Sequence, residues 1–377
     1  MSKKRGKSGI SFFEAVTTLI GTIIGAGILG IPYVIAKAGI LIGLLDILIL
    51  GIIILVLNLY MGEICLRTKK VHQFSGLAEK YLGKFGKIVM TISFSIGTLG
   101  ALIAYIIGEG QVLSTIFGLT PFAFSLIFFF LGSILIFMDL QAIRKTEAVL
   151  VFIKLIFISF IIVALFFSFK ASSFNQSFSI SNVFVPYGVI LFALSGAAAI
   201  PEMEMELKRN KKQLKKAIMI GSIVPIVIYA LFSIALISVL GINTPEVATL
   251  GLKSVGGYLF AIGNVFAFLS MFTSFLILGL SFKWMLHYDF NLKRNLSAVI
   301  TCLIPLAFFL AGARNFISTI SLVGAISGGI NGILIALMVR NAKKKSEIKP
   351  AYSIPINWFV IILFIVIFAL GILYQFI

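Results

Sequence analysis

The sequence predicts an all-α protein that crosses a membrane many times. Three features carry that prediction: long apolar runs, a shortage of charge, and basic residues gathered into alternate loops. Of 377 residues, 60% are hydrophobic and only 12% charged, with mean hydropathy +1.14. A soluble chain of ordinary composition would carry about a quarter charged residues. Runs such as 40–60 and 358–374 are long enough to cross a bilayer as helices.

Eleven spans are expected, at 11–37, 40–66, 86–116, 121–142, 146–169, 184–207, 214–241, 257–286, 294–312, 315–340 and 355–376. Of the 31 Lys and Arg, 26 fall in the N-terminal tail and in every second loop. These groups include Lys3, Lys4, Arg5 and Lys7; Lys69 and Lys70; Arg144 and Lys145; Lys208, Arg209, Lys211 and Lys212; and Lys343 to Lys345. The opposite side keeps only Lys37, Lys170, Lys253 and Arg314. The positive-inside rule therefore sets a cytoplasmic N-terminus and an external C-terminus for a multi-pass protein of the cell membrane. The net charge of +18 is then a topology signal facing the lipid bilayer, not a nucleic-acid surface.

The remaining cation, Lys154, lies inside the fifth span. Two cysteines and two histidines, all far apart, give no metal set, disulfide framework or haem ligation, so no metal or cofactor is expected. The N-terminus has positive charges but no small-residue cleavage site, and it reads as retained. Two connections read as structured. Residues 71–87 place Leu77, Tyr81 and Phe85 at helical spacing among charges, as in an interfacial helix. In the outer loop 242–257, Thr244 reads as an N-cap with Pro245 opening a short helix.

The first span contains GAGILG (residues 25–30), a literal match to the G-x-G-x-x-G of dinucleotide-binding proteins. That motif carries its meaning only between a strand and the helix of a βαβ unit. Here it sits mid-span, so the dinucleotide reading is rejected. The glycines either break the helix or permit close helix packing. The sixth span repeats the pattern: Gly27-Ile-Leu-Gly-Ile-Pro32 against Gly196-Ala-Ala-Ala-Ile-Pro201, 169 residues later. Five spans lie between equivalent points, and five being odd, the copies run in opposite directions. Interrupted helices at matching positions of two inverted halves mark the binding site of a secondary transporter.

The segments GTIIGAGILGIPYVIAKAG and FALSGAAAIPEMEMELKRNKKQLKKAI resemble the amino acid/polyamine/organocation superfamily of permeases. Within it, the hydroxy/aromatic amino acid permeases and the amino acid/auxin permeases are the most similar. The resemblance implies a LeuT-type fold of 5+5 inverted repeats. The single transporter domain divides into a first repeat at 11–170, a second at 184–340 and a peripheral span at 355–376. It also implies an amino acid substrate, carried by alternating access.

Where the first span unwinds, the free N–H groups of Ala26, Gly27 and Ile28 beside Gly25 would seat the substrate carboxylate. Carbonyls exposed around Ser195, Gly196, Ala197 and Ala199 would accept from its ammonium. The resemblance adds Tyr105, Phe192 and Phe268 as candidates for the side-chain pocket, where core packing is the competing role. Without a placed acid, the expected substrate is a neutral amino acid, an aromatic one included.

For coupling, an ionisable residue inside a membrane is a functional candidate by default. Some proton-coupled relatives carry a lysine where Lys154 stands, its amine meeting carbonyls equivalent to those of Gly21 and Ile24. Against this, Ser270, Thr273 and Ser274 stand at the spacing of the family's sodium ligands, with Gly21 and Ile24. A proton is the preferred coupling ion and sodium the alternative. An amino-acid exchanger also remains open. A membrane-embedded enzyme would need an acid/base pair, an activated nucleophile or a metal cluster, and the sequence offers none.

Overall fold

In lipid the backbone has no water to bond, so an apolar run must satisfy its own N–H and C=O groups, and it does so as a helix. A computed structural model shows that outcome. It describes residues 4–70, 72–139, 142–169, 182–207 and 210–376, with the side chains of 4–11, 142–147 and 289 left out. Lys3, Lys170, Lys208 and Arg209, named above, and the first residue of the 71–87 segment lie outside the described residues.

The helices are α1 (Lys4–Ile23), α2 (Gly27–Ala38), α3 (Ile40–Arg67), α4 (Phe74–Phe117), α5 (Pro121–Phe137), α6 (Ala142–Phe166) and α7 (Tyr187–Leu194). They continue with α8 (Ile200–Glu206), α9 (Leu214–Leu240), α10 (Gly257–Asp289), α11 (Arg294–Leu310), α12 (Phe316–Val323), α13 (Gly329–Lys344) and α14 (Trp358–Tyr374). Among the described residues, seven segments are long and apolar enough to cross a membrane, or eight with the α1–α2 pair, bent by 50°. The α5, α11 and α14 helices are apolar but only 17 residues each.

Helix ends follow local chemistry. Thr120 caps α5 by accepting from the Ala123 N–H at 3.3 Å, with Pro121 at the first turn. Asn315 and Asn357 cap α12 and α14 in the same way. The expected interfacial helix exists as the first two turns of α4, with Leu77 and Tyr81 buried. At Gly83 (φ 77°) the chain kinks, which only glycine does cheaply. Phe85, beyond the kink, is therefore exposed rather than aligned with Leu77 and Tyr81.

The outer loop differs from expectation. The Thr244 hydroxyl turns back to donate to the Gly241 carbonyl at 2.8 Å, so it does not cap forward. The helical turn starts later, as a 3₁₀ segment at Ala248–Ser254, leaving Pro245 and Glu246 in the link.

Packing is inverted relative to a soluble protein. Leu48 and Ile52 of α3, Phe130 and Leu131 of α5, and Phe152 and Phe160 of α6 all face outward, as a lipid solvent requires. Both broken segments are enclosed: α1 and α2 pack on α9, and α7 packs on α2, α3, α12 and the turn joining α12 to α13.

The basic end is tied by buried ion pairs. Glu63, fully buried, accepts from Arg67 at 2.8 Å, from Ser353 at 2.8 Å and from the Ile354 N–H at 2.8 Å, with Lys343 at 3.3 Å. Buried Lys283 donates to the Ile136 carbonyl at 2.8 Å and to Asp139 at 2.7 Å, closing the C-terminal end of α5. Arg294 also pairs with Asp139.

Candidate functional site

Two interrupted helices cross at the centre of the molecule. The first ends as α1 at Ile23, turns through Ile24 to Ala26, and restarts as α2. The Gly25 N–H closes the turn on the Ile23 carbonyl at 3.0 Å. The second leaves α7 at Ser195 (ψ 112°), passes Gly196 and a 3₁₀ turn at Ala197–Ala199, and restarts as α8 with Pro201 in its first turn. The breaks touch: a Cβ on Gly27 would overlap the backbone and Cβ of Ala193, so only glycine permits this approach.

Four helix ends meet there. α2 opens with amides that have no acceptor within the helix, while α1 and α7 end on carbonyls that no amide of a following helical turn takes up. Tyr229 of α9, fully buried, sets its hydroxyl 2.8 Å from the Ile23 carbonyl and 3.1 Å from the Ala193 carbonyl. One hydroxyl proton serves two acceptors, so one carbonyl always retains unused capacity.

Beside the breaks lies a cavity of about 960 Å³, counting its open mouth. Gly25, Ala26, Gly27, Tyr105, Phe192, Ser195, Gly196 and Ala197 line it, and among the described residues no charged side chain does. Ser195 and Ala198 are exposed although their neighbours along the chain are mostly buried, so solvent reaches the second break. The wall continues through Asn58, Asn331, Ile335 and Phe74 toward the end that carries the basic loops.

Three expected residues stand outside the wall. Ile28 is fully buried within α2, and Ala199 lies behind the second break. Phe268 stacks on Phe272 at 5.3 Å, and Phe272 meets Phe128 of α5 edge-on. Four residues apart, Phe268 and Phe272 share a helix face turned away from the breaks.

Lys154 is 2% exposed. Its ammonium lies 3.3 Å from the Ile24 carbonyl and 3.4 Å from the Thr273 hydroxyl. The Ser270 hydroxyl is buried without a hydrogen-bond partner, and that of Ser274 is buried beside the Tyr105 hydroxyl. A Cβ on Gly25 would lie 3.1 Å from both Ser274 Oγ and Tyr105 Oη, so these hydroxyls close around the first break. Gly21 is buried nearby on α1, one turn before the break. The structure thus brings Lys154, Ile24 and Thr273 together.

At the basic end, Glu204 pairs with Lys211, and the Thr18 hydroxyl donates to Glu206 at 3.1 Å, tying α1 to α8. Sequence reasoning missed Tyr229, Asn58 and Asn331. The signal available for each was a polar group in an otherwise apolar span.

A model of the tryptophan/tyrosine permease family matches residues 8–375. The chain belongs to that family. Across their lengths, the permease is 24% identical to glutamine transporter 2 of Aliivibrio fischeri over 355 residues, covering 89% of this chain and 90% of that protein. It is 26% identical to tyrosine-specific transport system 1 of Haemophilus influenzae over 351 residues, 86% of each chain. Among solved structures, MhsT in complex with L-phenylalanine superposes with a TM-score of 0.71 at 13% identity, covering 96% of this chain and 97% of that one. The fold is therefore LeuT-type. The permease is an amino acid transporter of the membrane, and its relatives are transporters rather than enzymes.

Proposed function

We propose that the permease is a proton-coupled symporter of neutral amino acids, aromatic ones included, working by alternating access. One observation carries the reading: an uncharged cavity meets two helix breaks whose free amides and carbonyls suit a zwitterion, with buried Lys154 on the first break. The α2 amides would take the substrate carboxylate, and the Ile23 and Ala193 carbonyls its ammonium. Apolar walls at Phe192, Ala197 and Ala198 leave room for a large neutral side chain. Relatives whose names specify tyrosine and glutamine, and a structural neighbour holding L-phenylalanine, support the same substrate class.

On this reading the seven long segments, the bent pair and the three 17-residue helices make eleven spans in a cell membrane. Residues 11–170 and 184–340 form the inverted repeats, 355–376 packs at the periphery, the N-terminus is cytoplasmic and the C-terminus external. Seventeen residues rise about 25 Å, near the lower limit for crossing. The cavity then opens to the cytoplasm.

Coupling follows from where Lys154 sits. A desolvated ammonium is costly unless paired or neutralised. A proton on Lys154 would hold the Ile24 carbonyl and Thr273, and its loss would release the first break. Sodium is the second reading, favoured by the buried hydroxyls of Ser270 and Ser274 beside Thr273.

The test is mixed amino-acid uptake into proteoliposomes, read by mass spectrometry, with an inward proton gradient and no sodium. Accumulation of a few neutral amino acids is expected. Uptake only on adding sodium would transfer coupling to the hydroxyls, and dependence on internal substrate alone would indicate exchange.

A further inference from the structure

Glu109 sits on α4 one helical turn beyond Tyr105, on the side of the cavity away from the basic loops. It is fully buried, and neither carboxyl oxygen has a hydrogen-bond partner. Its flanking glycines show how tightly three other helices cover it. A Cβ on Gly108 would lie 2.6 Å from Met271 Sδ of α10 and 3.1 Å from Phe316 of α12, and one on Gly110 would overlap α5 at Ser125 and Pro121. An isolated carboxylate does not survive such surroundings ionised, because nothing replaces its water.

Among the described residues, no countercharge faces it. The described α5 and α12 carry no ionisable side chain, and the outer half of α10 offers only Tyr258, 91% exposed. On α11 the ionisable groups are Arg294, at the far end and paired with Asp139, and Cys302. On α13, Arg340, Lys343 and Lys344 all lie at the basic end. On α4 itself the nearest is Tyr105. The cation ahead of α12, Arg314, stacks over the Phe122 ring at 4.9 Å.

Glu109 is not the only dry polar group here. Asn264 of α10 is 1% exposed with both amide atoms unpartnered, and the Thr249 hydroxyl beside Gly263 is buried and unpartnered. Each such group is costly to leave dry. Water reaching these groups in another state of the protein would remove that cost.

We propose that Glu109 is a proton-binding site of the outer half, whose occupancy licenses closure of that half into the packing seen here. The inference rests on the alternating-access reading. In the outward-open state water hydrates the carboxylate. A proton from that water forms one O–H bond, and the neutral acid is then buried as α4, α5, α10 and α12 close over it. On reopening, the proton returns to the same water. Glu109 thus adds nothing to the transport stoichiometry, unlike Lys154, and acts as a gate that external acid sets.

The experiment is amino-acid counterflow in proteoliposomes at equal pH on both sides, for wild type and Glu109→Gln, from about pH 5.5 to 8.5. Wild-type exchange is expected to fall by up to ~10-fold toward alkaline pH, the change in occupancy of one site carried across its midpoint. In Glu109→Gln, permanently neutral, exchange persists at alkaline pH and the profile flattens. An unchanged profile overturns the proposal. So does a Glu109→Gln protein that cannot be purified folded, since a site holding a neutral acid accepts its neutral isostere.

Infrared difference spectra of the two proteins at neutral pH give an independent reading. A protonated carboxylic C=O stretch present only in wild type supports the proposal, and its absence overturns it. Absence of wild-type counterflow at any pH, with or without sodium, would instead sink the transport reading.

Discussion

Replacing Tyr229 by Phe removes one atom from the centre of the molecule and leaves the ring packing intact. The lost hydroxyl lies 2.8 Å from the Ile23 carbonyl and 3.1 Å from that of Ala193. A buried acceptor left without a donor costs about 1–3 kcal/mol. Both carbonyls belong to residues that line the cavity, so water can replace part of the loss, which favours the lower half of that range. If the breaks then sit less firmly in their binding geometry, the cost appears in substrate affinity. At ~1.4 kcal/mol per tenfold, KM rises roughly 5- to 30-fold, with a smaller change in maximal rate.

A general loosening would weaken every ligand alike, so the assay is competition of labelled amino acid uptake by two ligands. One is the amino acid and the other its 2-hydroxy acid analogue, which lacks the ammonium. Tyr229→Phe is expected to weaken the amino acid more than the hydroxy acid, because the affected carbonyls are those an ammonium would use. Equal weakening of both ligands, or a KM within about twofold of wild type in folded protein, would refute the reasoning.

Three further outcomes follow from the same geometry. Lys154→Met, apolar and of similar length, should abolish proton-driven accumulation while leaving counterflow measurable; an unchanged pH dependence of uptake would remove Lys154 from coupling. Gly27→Leu should eliminate substrate binding, because even its Cβ overlaps Ala193; retained affinity in a thermal-shift titration would show that the breaks do not form the site. For Asp139, burial alone would raise the carboxyl, but hydrogen bonds from Lys283 and Arg294 outweigh it and hold its pKa below the ordinary value. Its stabilising contribution is then present above about pH 4 and lost as pH falls through the lowered value. Asp139→Asn should melt below wild type at neutral pH, with the two curves converging in acid.

The course of the chain through the bundle was legible because lipid makes it so: apolar runs must be helical, and charges collect at the ends. The helix breaks were legible because Gly-rich clusters followed by Ile-Pro interrupt both runs at matching positions. What escaped depends on rotation about a helix axis and on partners far along the chain. Tyr229 stands 206 residues from Ile23, and nothing local to α9 announces that meeting. Phe268 was one face out of register. Glu109 lies near one end of α4 along the chain, yet α5, α10 and α12 cover it completely, which no single-segment count can reveal. Thr244 failed as a forward cap because its hydroxyl had a nearer acceptor in the preceding turn.

On the proposed coupling, the first break offers a route by which an uncharged cavity would respond to an ion it does not contain. The carbonyl of Ile23, a cavity-lining residue, takes the Tyr229 hydroxyl, while the next carbonyl, that of Ile24, takes the Lys154 ammonium. In a continuous helix successive carbonyls all point along the axis; here adjacent ones diverge, so substrate and ion would act on neighbouring peptide groups. Gly25 completes the turn, with room on its Cβ side for the Ser274 and Tyr105 hydroxyls, each 3.1 Å from where a Cβ would stand. Gly25→Ala should push both hydroxyls back by a few tenths of an ångström and disturb Lys154 and Thr273 more than the amides of α2. The expected result is substrate affinity within about fivefold of wild type, a cost on the order of 1 kcal/mol, but proton-driven accumulation much reduced relative to counterflow. Loss of both in parallel would mean that the two sides of the break are not separable, and that coupling does not pass through this turn.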